Sequence, residues 1–139
     1  MAVVIPYIRI TNLSQAYDFY QEWLGFKELW SESIGDEENL QNDYLYPSLM
    51  KFRHETLGID VLLSEHSSDG QPGGVVLIDQ IDDVRKFLTD LMEKEHSFQE
   101  PVLEEPNFWI QAYQITITDP FGNRLIFRER PVRETPWIP

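Results

Sequence analysis

The chain has no cysteine among its 139 residues. That excludes a disulfide framework and any thiolate metal site, and it fits a reducing compartment. Histidine is scarce too. His54, His66 and His96 stand apart, in neither the HxH nor the HExxH spacing that brings two imidazoles to one metal. There is no GxSxG elbow and no phosphate-binding glycine loop. Long apolar runs are missing as well: Ala2 to Ile10 is interrupted by Pro6 and Arg9, unlike a signal peptide and too short to span a bilayer. The expectation is a cytoplasmic protein. Positive charge is the last shortage, with 11 basic residues against 24 acidic ones and a formal charge of −13. Such a field repels phosphate backbones and anionic lipid, so no nucleic-acid or membrane partner is expected, and it attracts cations.

What is present suits one packed domain, since 139 residues at 42% hydrophobic suffice for a single core. Residues 3–10 read as a strand in which Pro6 points to an edge. Asn12 or Ser14 then caps a helix with Leu13, Ala16, Tyr17, Tyr20 and Leu24 on one side, ended by Gly25. Residues 26–34 read as a strand, and the acidic, turn-rich segment 35–47 as a surface loop. Residues 48–53 and 59–64 read as a hairpin, and 66–74 as a flexible link. The order then begins again: strand 75–78, a helix opened by Asp82 or Asp83, strand 98–103, and strand 109–118. In TDPFGNRLIF, residues 118–127, Asp119, Pro120 and Gly122 make a turn between alternating strands. Residues 131–139 read as an extended tail pinned by Trp137.

The two halves thus share the order strand, helix, three strands. An offset of 68 places Leu13, Ala16, Phe19, Tyr20 and Leu24 on Ile81, Val84, Phe87, Leu88 and Met92. A second offset, of 64, places Gly58, Val61 and Leu62 on Gly122, Leu125 and Ile126. Order and spacing together mark a duplicated module of about 3–65 and 75–130.

Three pieces of wording carry a family resemblance: NLSQAYDFYQEWLGF at 12–26, IDDVRKF at 81–87 and DPFGN at 119–123. They resemble the glyoxalase, bleomycin-resistance and extradiol-dioxygenase superfamily. The resemblance implies an α+β fold of two βαβββ modules, each a curved mixed sheet bordering a cleft, and a homodimer. It also implies that metal-using relatives carry His, Gln or Glu on the first and last strand of each module. Here those positions fall on Ile5, Leu62, a residue near Val76, and Ile126, and no aliphatic side chain donates to a metal. No cofactor is therefore expected.

Ile5 followed by Pro6 resembles the bleomycin-resistance branch, which binds a bulky cationic aromatic ligand without metal. The chain has eighteen aromatic residues, four of them tryptophan. Trp30, Tyr46, Phe52, Trp109 and Tyr113, on or beside the module strands, are the candidate ligand-binding residues, because aromatic faces stack on planar rings and attract cations. Two alternatives stay open. One is a lyase or dioxygenase with a shifted metal site using Asp60, His54 or Glu65, and the other is a scaffold or sensor whose cleft is filled by its own side chains.

Overall fold

The computed structural model describes residues 2–32, 48–66 and 69–131. The acidic loop, including Tyr46, and the tail with Trp137 lie outside the described residues. The chain divides into two compact units, Met1–Gly74 with Pro120–Asn123, and Val75–Asp119 with Arg124–Pro139.

In the first unit, β1 (Tyr7–Arg9) leads to α1 (Leu13–Ala16), which continues as a π-helical segment, Tyr17–Trp23. Strands β2 (Lys27–Glu32), β3 (Leu49–His54) and β4 (Ile59–Ser64) follow. The sheet order is β1-β4-β3-β2, with β1 parallel to β4 and the other pairs antiparallel. Pro6 explains why β1 is shorter than the 3–10 expectation. It has no N–H for the ladder, although its carbonyl accepts from Leu62 N at 2.9 Å, and the strand is an edge. Asn12 is the helix cap, its side chain accepting from Gln15 N at 2.9 Å. Gly25, at φ +90°, turns the chain out of the helix. The helical stretch buries Ala16, Phe19, Tyr20 and Trp23. Sheet residues Met50, Phe52, Val61 and Leu63 are buried as completely. Burial on that scale, at roughly 25 cal/mol per Å² of apolar surface, is the main source of the unit's stability.

The second unit holds β5 (Val75–Ile81), α2 (Val84–Met92), β6 (Val102–Glu104), β7 (Gln114–Thr118) and β8 (Arg124–Glu129). Its sheet order, β5-β8-β7-β6 with β5 parallel to β8, repeats the first. Asp83, not Asp82, caps α2, accepting from Lys86 N at 3.0 Å. Strand β6 begins at Val102 rather than 98, and β7 at Gln114 rather than 109. Asn107 accounts for the second difference. Its Oδ1 accepts from Trp109 N and Ile110 N, both at 2.8 Å, and its N–H donates to Ile110 O at 2.7 Å. This local turn holds the backbone of 107–110 away from the ladder.

The duplication is clear in the topology, but its helix register differs from the sequence comparison. The caps Asn12 and Asp83 stand 71 residues apart rather than 68, and Ile81 lies on β5, before the helix. Met92 is 45% exposed where Leu24 is 1% exposed. The offset of 64 describes the hairpins better. Gly58 and Gly122 both have positive φ, at +68° and +89°. Leu62 and Ile126 each lie on the central strand that pairs in parallel with the unit's first strand. The two units therefore match in architecture, α+β with a four-stranded mixed sheet in each.

Candidate functional site

Strand alternation gives each sheet one face toward its helix and one opposite face, called open here for the exposed Tyr7 and Trp30 of the first sheet, although Leu49, Leu62 and Ser64 on that face are buried. In the first unit Met50, Phe52 and His54 pair with Leu63, Val61 and Ile59. Tyr17 from the π-helical segment meets Phe52 edge-on at 5.7 Å, which identifies this face as the helical one. The open face is then Lys51 and Arg53 on β3 with Leu62 and Asp60 on β4, joined by Tyr7 opposite Leu62 and Arg9 opposite Ser64. On β2 the pairing shifts between Glu28 and Trp30, so that Lys27 faces Arg53 and Trp30 faces Lys51. This β-bulge at Leu29 puts Lys27 and Trp30 on one face, which unbroken alternation forbids for residues three apart.

Trp30, 39% exposed, thus lies on the open face beside Lys51. Phe52 does not. It is fully buried on the helical face, because its parity with Met50 and His54 turns it inward. Tyr113 is also turned away from the open face of its sheet. The Arg85 guanidinium, from α2, lies 4.0 Å over its ring, so that ring already has a cation on the helical side. Trp109 is on no strand. It is 86% exposed on the Asn107 turn, edge-on to Phe108 at 5.1 Å. Tyr46 lies outside the described residues. Of the five aromatic candidates, only Trp30 is placed on an open sheet face by the described residues.

Of the positions that the resemblance implies for metal donors, Ile5 precedes β1, while Leu62, Val76 and Ile126 lie on β4, β5 and β8. The residue opposite Leu62 is Tyr7, with Ile5 two residues earlier on the same strand parity, and the residue opposite Ile126 is Leu77, while Val76 pairs with Leu125 on the helical face. Leu62, Leu77 and Ile126 have no donor atom, and Tyr7 offers only a phenol. The alternative set is not brought together either. Asp60 faces the open side, whereas His54 is buried on the helical side. Leu57 N–H donates to His54 Nδ1 at 3.2 Å, and His54 Nε2 lies 3.0 Å from Leu24 O. A backbone N–H only donates and a carbonyl only accepts, so the ring carries its proton on Nε2 and both nitrogens are in use. Its role is to fasten the hairpin to the end of the helical segment. Among the described residues no three His, Asp or Glu gather in a metal-holding group.

Asp60 has partners of its own. Arg53 donates to it through Nε at 2.8 Å and Nη2 at 3.1 Å, and Lys51 Nζ stands 3.7 Å away. The Arg53 bond holds the Asp60 carboxyl below its ordinary range. Glu65 moves the other way, pushed up by burial and only partly offset by Arg9. In the second unit the open face carries a chain in which Arg128 Nε donates to Gln114 Oε1 at 3.0 Å, and Gln114 Nε2 donates to Glu104 Oε2 at 3.3 Å. Near it lie the exposed Val75, Leu77 and Val102. Sequence reasoning picked out none of these open-face cations. The alternation of Leu49, Lys51 and Arg53 with Met50, Phe52 and His54 carried that signal, but the bulge that adds Lys27 and Trp30 left none.

No helix among the described residues is long and apolar enough to cross a membrane. Several solved structures share the fold. An antibiotic-binding protein from Streptomyces sp. CB03234, TnmS3, is 19% identical, with a TM-score of 0.64 over 94% of this chain and 97% of its own. A glyoxalase/bleomycin resistance protein from the same organism is 18% identical, with a TM-score of 0.63 over 90% and 97%. A bleomycin-binding protein, solved with bleomycin, is 15% identical, with a TM-score of 0.62 over 94% and 99%. No curated protein matches in sequence. The family model described as glyoxalase superfamily protein matches residues 1–134. With the duplicated unit and its paired parallel strands already evident in the geometry, that match over nearly the whole length establishes that the chain belongs to the glyoxalase superfamily.

Proposed function

We propose that this protein binds a bulky, planar small molecule without a metal and sequesters it, in the manner of the bleomycin-resistance proteins. The observation that carries this reading is the open face of the first sheet. There Trp30 offers an accessible ring, and Leu62, one of the aliphatic positions at which the resemblance implies a donor in metal-using relatives, lies opposite Tyr7. Structures of the same fold that are described as binding bleomycin or another antibiotic support it. A stacked ring contributes about 0.5–1.5 kcal/mol beyond the area it buries. Micromolar binding needs about 8 kcal/mol, so the ligand has to be large enough to cover several side chains at once.

The formal charge of −13 supports a ligand of cationic character, drawn in over a Debye length of about 10 Å. Val75, Leu77 and Val102, exposed on the second sheet, support the homodimer that completes this reading, since an assembly would cover them. The test is calorimetry and tryptophan fluorescence with bleomycin-class and other planar aromatic compounds, on protein stripped with chelator. The expected result is saturable heat and a fluorescence change that Trp30→Ala reduces. Neither signal with any compound of this class, or a signal only after a divalent metal is restored, would overturn the reading.

A further inference from the structure

The protein is strongly acidic overall, yet the open face of its first sheet is basic. Arg9, Lys27, Lys51 and Arg53 lie there, while the carboxylates that share its register positions are Glu32 and Asp60. Among the described residues, four of the chain's 11 basic residues thus share one face with Glu32 and Asp60, and Asp69, which accepts from Ser64 Oγ, adds a third carboxylate beside β4, so the excess of positive charge lies with Lys27, Lys51 and Arg53 around Trp30. On the open face of the second sheet, taken separately, Arg124 and Arg128 stand against Glu104 among the register-paired residues, Glu129 being on the helical face.

The partners of these cations sharpen the picture. Arg53 is occupied by Asp60 through two nitrogens, which fixes its plane. Arg9 spends its donors on the carbonyls of Gly70, Ser64 and Ile10, with no carboxylate among those acceptors. Among the described residues Lys51 reaches the Asp60 Oδ2 that Arg53 Nη2 also bonds, at 3.7 Å, beyond the range of a good hydrogen bond. Its ammonium has three donors, so capacity is left over beside Trp30, its cross-strand partner. A flat ring on Trp30 with an oxyanion directed at Lys51 fits this arrangement. A cation at the same place meets like charge.

We propose that the first sheet's open face takes an aromatic acid, a planar ring stacked on Trp30 with its carboxylate, sulfonate or phosphate oxygens on Lys51. This rests on the small-molecule-binding reading above, though not on the cationic character that the net charge supports, and names the chemistry of the group held at contact range. The net negative field acts at longer range and is screened by salt, whereas the contact is decided by the charges within a few ångströms.

Three probes of equal size separate the possibilities: naphthoate, naphthamide and naphthylmethylammonium, titrated into the full chain by calorimetry and by NMR shift perturbation. The expected order is naphthoate tightest, by about fivefold over the amide, as suits one partly exposed charge pair. Lys51→Met removes that preference and leaves amide binding in place, and Asp60→Asn strengthens naphthoate binding by freeing two cations. Circular dichroism melts confirm that both variants are folded. An ammonium probe that binds tighter than naphthoate overturns the aromatic-acid assignment while leaving aromatic binding intact. Binding of all three that ignores Trp30→Ala overturns the placement of the site. Failure of all three to bind counts against both readings.

Discussion

Two residues show how local chemistry fixes this fold. Tyr17 sits at the junction of α1 and the π-helical segment, edge-on to Phe52, with its hydroxyl 3.1 Å from Glu28 Oε2. Burial, then the Glu28 hydrogen bond and charge, push its phenol up to about 12. The ordinary value near 10 belongs to the unfolded chain, so ionisation favours unfolding, and stability falls as pH rises from about 10 towards 12. An ultraviolet titration should show a late-ionising phenol that Tyr17→Phe removes, and the same substitution should flatten the alkaline loss of stability. Asn123 is the second. It is 3% exposed, its Nδ2 donates to Arg9 O at 2.7 Å, and its Oδ1 accepts from Gly73 N at 2.8 Å and Gly74 N at 3.1 Å. Asn123→Leu leaves all three backbone groups without this partner and should cost about 3 kcal/mol or more in urea denaturation. Asn123→Asp keeps the two accepted bonds and should cost less.

At the scale of elements, the end of the first helical segment is where covalent geometry matters most. Gly25 has φ +90°, and a Cβ there would meet His54 Nε2 at 3.4 Å. Gly25→Ala should destabilise the protein by about 1–2 kcal/mol, measured by thermal or urea unfolding, with the same substitution at exposed Gly74 near neutral as the control. This end was legible in the sequence because glycine after an apolar helical stripe has one common use. So were the caps, narrowed to a pair of residues each time, and the 119–123 corner. What the sequence did not show has physical reasons. Asn107 builds its turn from hydrogen bonds to residues two and three further on, which no alternation pattern encodes, so the apparent strand at 109 does not form. The Leu29 bulge shifts Lys27 and Trp30 onto one face, and strict alternation separates them. An aromatic on a strand such as Phe52 looks the same from either side in sequence, and only its pairing with Val61 shows which side is the core.

At the scale of the whole molecule, membership of the glyoxalase superfamily sets the architecture and leaves the chemistry to a few side chains. Aliphatic Leu62 and Ile126 pair with Tyr7 and Leu77, none of them a carboxylate or imidazole, and His54 is committed to the backbone of Leu24 and Leu57. The charge pattern adds a separation of ranges, with a formal −13 over the chain and basic side chains on the first sheet's open face. Raising salt should therefore alter the association rate of a charged ligand more than its dissociation rate, measured by stopped-flow fluorescence. The DPFGN corner, by which the family is legible, supplies Asn123 to the backbone around it and places Ile126 three residues on, where no metal donor is available. The most direct test of metal-free binding is one calorimetric titration of chelator-treated protein with a planar aromatic ligand, repeated after a divalent metal is added back. The account predicts the same heat and affinity in both; binding that appears only with the metal would contradict it.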